Sequence, residues 1–339
     1  MSKNLLSGAR RGSAAHWAWR LVGLLAAVAC LLYGTFAGRP PEADQPMRVA
    51  IGVWPGSDTL VYARETGSLP RDDVQLMEMA WSSATKVAFV NRVVDAAVIS
   101  LDEVLRLLES GDDLRVVMVL GFSRGGDAVL ARPPIASVKE LRGRKVGVES
   151  NSVGAYVLAG ALAGENLTLR DLEVLPLNLA EMQNAYDVGE VDAVVVGEPW
   201  GTRIRSLGAQ PIFDSNQLSN QVCRVLVVRP EILKKMRQKV DKVVQAHLRS
   251  RNYLHTGADP LVVDAISRRS GISRAELTRA FDQIAMPDLE ENRRLLGGAS
   301  PKLRQIASEV ATQMVREGLL NGIPARKDWI SDEFLEELP

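Results

Sequence analysis

A chain of 339 residues has room for about two domains, and 46% hydrophobic with 24% charged residues is the composition of a globular protein with a sizeable core. The 41 basic residues balance the 41 acidic ones, so no basic field exists to attract nucleic acid. Two cysteines and three histidines, with no cluster at metal-ligand spacing, exclude a disulfide framework and a metal centre. No cofactor is expected.

The N-terminus is the least globular part. Lys3, Arg10, Arg11 and Arg20 precede an uncharged run over residues 21–38. Arg39 and a polar, Pro-rich linker over 39–46 come next. Basic residues ahead of an apolar run predict a cytoplasmic N-terminus and an extracytoplasmic remainder. Three readings of residues 1–38 stay open: a retained membrane anchor, a signal peptide cleaved after Thr35-Phe36-Ala37, and lipid attachment at Cys30.

An internal repeat organises the rest of the chain. Arg48-Val49-Ala50-Ile51-Gly52 reads as a buried strand, and Lys145-Val146-Gly147-Val148-Glu149 reads the same way 97 residues later. Val94-Asp95-Ala96-Ala97-Val98-Ile99-Ser100 matches Val191-Asp192-Ala193-Val194-Val195-Val196-Gly197 at the same offset. Continuous apolar runs between helical patterns are the mark of parallel strands buried on both faces. Each copy therefore reads as strand, helix, strand, helix, strand, an open α/β sheet whose ligand site lies beyond the carboxyl ends of its strands. Asp95 and Asp192 occupy matching strand starts and are assigned to structure.

Two short extended stretches leave the copies, 126–131 and 223–228, and two such crossings make a hinge. Beyond Arg229 the pattern turns helical. Pro230 suits a first helical position, Ser273-Arg274-Ala275-Glu276 is a capping box, and Pro301 opens another helix that Gly318 closes. The expected division is 47–130 with 225–339 as one lobe and 131–224 as the other.

Several blocks carry a resemblance. Val53-Trp54-Pro55-Gly56 with Tyr62-Ala63-Arg64-Glu65-Thr66-Gly67, then Asp95 through Val104, Gly125-Gly126-Asp127-Ala128, Val146-Gly147-Val148-Glu149 with Ser152-Val153-Gly154, and Glu198-Pro199-Trp200 fall in one order over residues 47–229. Together they resemble the nitrate/sulfonate/taurine-type substrate-binding proteins of ABC transporters. The resemblance implies a type II periplasmic-binding fold: two α/β lobes, a two-strand hinge and C-terminal helices packed on the body. It also implies a small-molecule ligand, an ABC permease with its ATPase as partner, and a place at the extracytoplasmic face of the membrane.

The strand-end loops supply the candidate ligand residues. In the first lobe these are Trp54, Gly56, Trp81, Ser82, Ser83, Thr85 and Ser100; in the second they are Glu149, Ser152, Val153, Gly154, Glu198 and Trp200, with Asp127 at the hinge. Ser82, Ser83, Thr85, Ser152 and Gly154 stand where helices begin, and helix starts hold anions. The tryptophans offer flat walls with one N–H each. Glu149, Glu198 and Asp127 oppose an anion and favour an amine or a hydrogen-bond-donating ring, with Arg124 a candidate to neutralise one of them. No Gly-x-Ser-x-Gly elbow, P-loop or His-based triad is present, so the chain is read as a binder and not an enzyme. Alternative readings are a membrane-anchored sensor acting on a membrane partner and a fold-related enzyme of pyrimidine metabolism, which needs a Cys- and His-bearing site that this chain lacks.

Overall fold

In a computed structural model, residues 45–218, 222–255 and 259–336 are described. The basic segment, the apolar run, Cys30 and most of the linker lie outside them. Among the described residues no helix is long and apolar enough to cross a membrane.

The first copy runs β1 (Met47–Gly52), α1 (Asp58–Glu65), β2 (Val74–Met79), α2 (Ser82–Val90), β3 (Ala96–Ser100), α3 (Leu101–Glu109), β4 (Arg115–Ser123) and β5 (Asp127–Ala131). The second runs β6 (Lys145–Val148), α4 (Val153–Gly164), β7 (Glu173–Pro176), α5 (Leu179–Asp187), β8 (Ala193–Gly197), α6 (Trp200–Ser206), β9 (Gln210–Asp214) and β10 (Cys223–Val228). β3, β5 and β10 are buried along their whole length, which is why they read as largely apolar runs rather than alternating ones.

The two sheets share one plan. The first has the order β11-β4-β10-β3-β1-β2 and the second β7-β6-β8-β5-β9, where β11 is the two-residue edge strand Ile284–Ala285. β1 pairs parallel with β2 and β3, as β6 does with β7 and β8. In each sheet the antiparallel strand comes from elsewhere in the chain: β10 inserts between β3 and β4, and β5 between β8 and β9. The expected boundaries at 130/131 and 224/225 each cut through a strand. All of β5 lies in the second sheet and all of β10 in the first. The passages between sheets are residues 124–126 and the stretch between Asp214 and Cys223.

Asp95 and Asp192 do the same work in both copies. Asp95 Oδ2 accepts from the Arg48 backbone N–H at 2.8 Å, and Asp192 Oδ2 accepts from that of Lys145 at 2.9 Å. Each ties the start of a parallel strand to the chain entering its neighbour, leaving no unpaired donor at the strand end.

The helical remainder comprises α7 (Pro230–Lys235), α8 (Arg237–His255), α9 (Pro260–Ser270), α10 (Arg274–Asp282), α11 (Leu289–Leu296), α12 (Lys302–Arg316) and α13 (Glu333–Glu336). Pro230 opens α7, the Ser273/Glu276 capping box opens α10, and Pro301 is the N-cap of α12. α8 packs on α1, with its Val240, Val243 and Val244 fully buried, α11 packs on β4, and α12 packs on α3. Each fully buried aliphatic side chain contributes about 1.5–3 kcal/mol, so these faces bind the helices firmly to the first sheet. The helices form no separate core: their buried residues join those of the first sheet in one cluster.

Candidate functional site

The site begins where β1 ends. Beyond Gly52 the chain passes through Val53 and Trp54 into a single 3-10 turn, Pro55–Ser57. Gly56 lies directly beneath the Trp54 ring, and a Cβ there would come within 2.0 Å of two ring carbons. Thr59 donates its hydroxyl proton to Gly56 O at 2.8 Å. Thr59 Oγ1 and His247 Nδ1 are hydrogen-bonded at 2.8 Å. Burial pushes His247 down to about 3, so the ring is neutral. Through this relay α8 holds the turn that poses Trp54.

α2 starts at Ser82 after Trp81, and none of its own side chains caps it. A carboxylate from the second lobe does so instead. Glu149, the residue after β6, reaches across and its Oε1 accepts from the Ser83 backbone N–H at 2.9 Å. Beside it, Lys86 Nζ donates to Asn151 O.

On the second side Ser152 caps α4. Its Oγ accepts from Gly154 N at 3.3 Å and donates to Glu149 O at 3.0 Å. Glu198 caps α6: Oε2 accepts from Thr202 N at 3.0 Å and Oε1 from Arg205 at 2.5 Å. Where the two crossing strands meet, Arg224 on β10 pairs with Asp127 on β5 at 3.2 and 3.4 Å. The same guanidinium lies 4.8 Å from the Trp54 ring centroid, a cation–π contact. Arg203 stacks likewise on Trp200 at 4.4 Å.

These elements enclose a narrow cleft of about 40 Å³ between the lobes. Trp54, Trp81, Ser82 and Thr85 line it from the first lobe, and Asp127, Glu149, Ser152, Val153, Gly154, Glu198 and Trp200 from the second. Three expected residues do not line it. Gly56 is the floor under Trp54. Ser83 offers only its backbone N–H, which Glu149 occupies. Ser100 is turned to its own helix: its N–H and hydroxyl both bond Glu103 Oε2, at 3.1 and 3.0 Å, as the capping box of α3.

Ser57 ends the strand-end loop 54–57, where a ligand is expected, and lines the cleft with it. Other lining residues were not expected: Val98, Val195 and Val196 are strand residues that read as core. Arg224 is the consequential one. Its signal is present in the sequence, since it is the sole charge in the buried run Cys223–Val228. Arg124, the expected neutraliser, is exposed; Arg224 holds Asp127 in its place. Three buried polar atoms on the lining residues have no partner among the described residues: Ser57 Oγ, Thr85 Oγ1 and Trp200 Nε1.

Two α/β lobes, antiparallel strands exchanged between them and a cleft at the strand ends define the type II periplasmic-binding fold, as comparison with solved structures bears out. The chain belongs to the NMT1-like family, whose model matches residues 41–262. The ligand-binding component of an ABC-type import system from Staphylococcus aureus, solved with zinc bound, is 17% identical at a TM-score of 0.71, over 87% of this chain and 99% of that one. The alkanesulfonate-binding protein SsuA from Xanthomonas axonopodis pv. citri, bound to MOPS, is 17% identical at 0.69, over 85% and 99%. The desulfurization enzyme DszB is 17% identical at 0.61, over 86% and 97%. At such identity the likeness is one of fold. No curated protein matches the sequence.

Proposed function

We propose that this protein binds a compact solute between its lobes, outside the cytoplasm, and hands it to an ABC permease with its ATPase. The observation that carries the reading is the set of unpartnered atoms in one cleft: Ser57 Oγ, Thr85 Oγ1 and Trp200 Nε1. A buried polar group left unpaired costs about 1–3 kcal/mol, so three around one space are best explained by a ligand whose own polar groups meet them. The cleft's chemistry favours binding over catalysis. Among the described residues, those lining it include no His, Cys or Lys. Cys223 and His247 lie outside it, and burial pushes the thiol up and the imidazole down, away from any nucleophile or base near neutral pH. The import-system neighbours support the reading, and the N-terminal segment supplies attachment to the membrane.

A thermal-shift screen with methanesulfonate, nitrate, cytosine and ethylammonium tests it, because a ligand that binds only the folded state raises the melting point. Binding is expected to be saturable, with the compound recovered unchanged after prolonged incubation. Chemical turnover of the bound compound refutes the proposal.

A further inference from the structure

The cleft's own oxygens already occupy the groups in it best suited to hold an anion. Glu149 Oε1 sits on the N-terminus of α2, bonded to Ser83 N at 2.9 Å. Ser152 Oγ takes Gly154 N at the start of α4, and Glu198 Oε2 takes Thr202 N at the start of α6. Among the described residues the one guanidinium lining the cleft, Arg224, is engaged by both oxygens of Asp127. The ionisable lining residues are deeply buried: Asp127 at 3%, Glu149 at 8%, Glu198 at 2% and Arg224 at 7% exposure. An entering oxyanion would face three carboxylates, and the unpartnered side-chain donors left to it, Trp200 Nε1–H and the Ser57 and Thr85 hydroxyls, are neutral. A positively charged group is attracted by the same carboxylates.

We propose that the solute this cleft takes is a compact organic cation, carrying a protonated amine or amidinium-type nitrogen, with Glu149 as its principal counter-charge. This rests on the reading of the chain as a binder. Arg205 balances Glu198 and Arg224 balances Asp127, whereas Glu149 is bonded by a neutral backbone N–H. Ser57 Oγ and Thr85 Oγ1, both 1% exposed and unpartnered, accept from the ligand's N–H groups. Glu149 also joins the lobes through Ser83, so the residue that reads the charge stands where closure takes place.

The test uses the full chain and small molecules from a bacterial extract, separated by ion exchange at neutral pH into cationic, anionic and uncharged pools. Each pool is added to the protein and the melting point followed; the captured compound is identified by mass spectrometry. The cationic pool is expected to raise the melting point, and the others to leave it unchanged. Glu149→Gln keeps an oxygen for Ser83 N–H and removes only the charge. It is expected to bind the captured cation at least tenfold more weakly with its own melting point preserved. A rise from the anionic or uncharged pool overturns the cation assignment while leaving the binder reading intact. Equal affinity in Glu149→Gln also overturns it. Failure of all three pools overturns the binder reading itself.

Discussion

Asp127 and Arg224 are 97 positions apart, the spacing of the internal repeat, and they are each other's ion-pair partners. Each stands in the first two residues of a strand that follows a passage between lobes, Asp127 on β5 and Arg224 on β10. Equivalent positions thus carry opposite charges and meet at the base of the cleft. Both side chains are almost fully buried, at 4% and 9% exposure. Removing one partner strands a buried charge, and the expected cost is about 3–5 kcal/mol for Arg224→Met or Asp127→Leu alone. The double variant is expected to recover most of that loss, since a buried pair replaced by apolar groups is often neutral. Urea denaturation of the three variants checks this; singles whose costs simply add would show the pair to be uncoupled.

The hydroxyls of Ser57 and Thr85 make a cleaner test of the site than the tryptophans. Trp54 is 6% exposed and packs within the main core, so its removal mixes binding with folding. Ser57→Ala and Thr85→Val delete buried oxygens that have no partner among the described residues. The melting point is therefore expected to hold or rise slightly, while ligand affinity falls by about 1 kcal/mol per bond lost. Gly56→Ala is expected to act differently. It pushes the Trp54 ring out of place and reduces tryptophan burial, which the shift of intrinsic fluorescence reports.

Burial gives the fold a pH dependence with a definite sign. Glu103 is raised from 4.5 to about 7 by burial, with the charge of Asp102 beside it adding to the rise. Burial raises Asp58 to about 7 as well. A carboxyl raised on folding contributes stability fully present below its unfolded value and lost as pH rises through its folded one. Glu103→Gln keeps an acceptor for Ser100 and removes the titration. Relative to the native chain it is expected to gain stability steadily between about pH 4 and pH 8, by up to about 3 kcal/mol. His247 runs the other way, its contribution being lost as pH falls from about 6.5 towards about 3. Denaturant midpoints across pH check the difference, and a flat one would place Glu103 as charged in the fold.

Export is tested apart from the fold. Reporter fusions placed after Pro46 are expected to be active only outside the cytoplasm, as the basic residues ahead of the apolar run dictate. A cytoplasmic junction refutes this.

The elements legible from sequence are those whose signal is local. Continuous Val/Ala/Ile runs mark β1, β3, β6 and β8, and the fixed offset pairs them into copies. The same symmetry assigns Asp95 and Asp192 to structure, and both hold a strand start. Arg224 is not legible in this way because its role depends on a partner on another crossing strand. Its neighbours identify it only as a charge in an apolar run. Ser100 misleads for the opposite reason. Its strand-end position suggests a ligand contact, but Ser100 with Glu103 is a capping box, and that local bond claims the hydroxyl first. Glu149 is expected in the cleft, yet spacing alone does not reveal its reach to the opposite helix.

The exchange of β5 and β10 bears on how the chain divides. Each half contributes to the other's sheet a strand that fills an interior slot, with hydrogen-bonded neighbours on both sides. The molecule is in effect a strand-swapped dimer of half-chains joined into one polypeptide. Cutting it between the copies leaves each fragment with a gap at the middle of its sheet and a buried, largely apolar strand with nowhere to go. Neither fragment is then a soluble unit by itself, and the two together regain the fold only by finding one another.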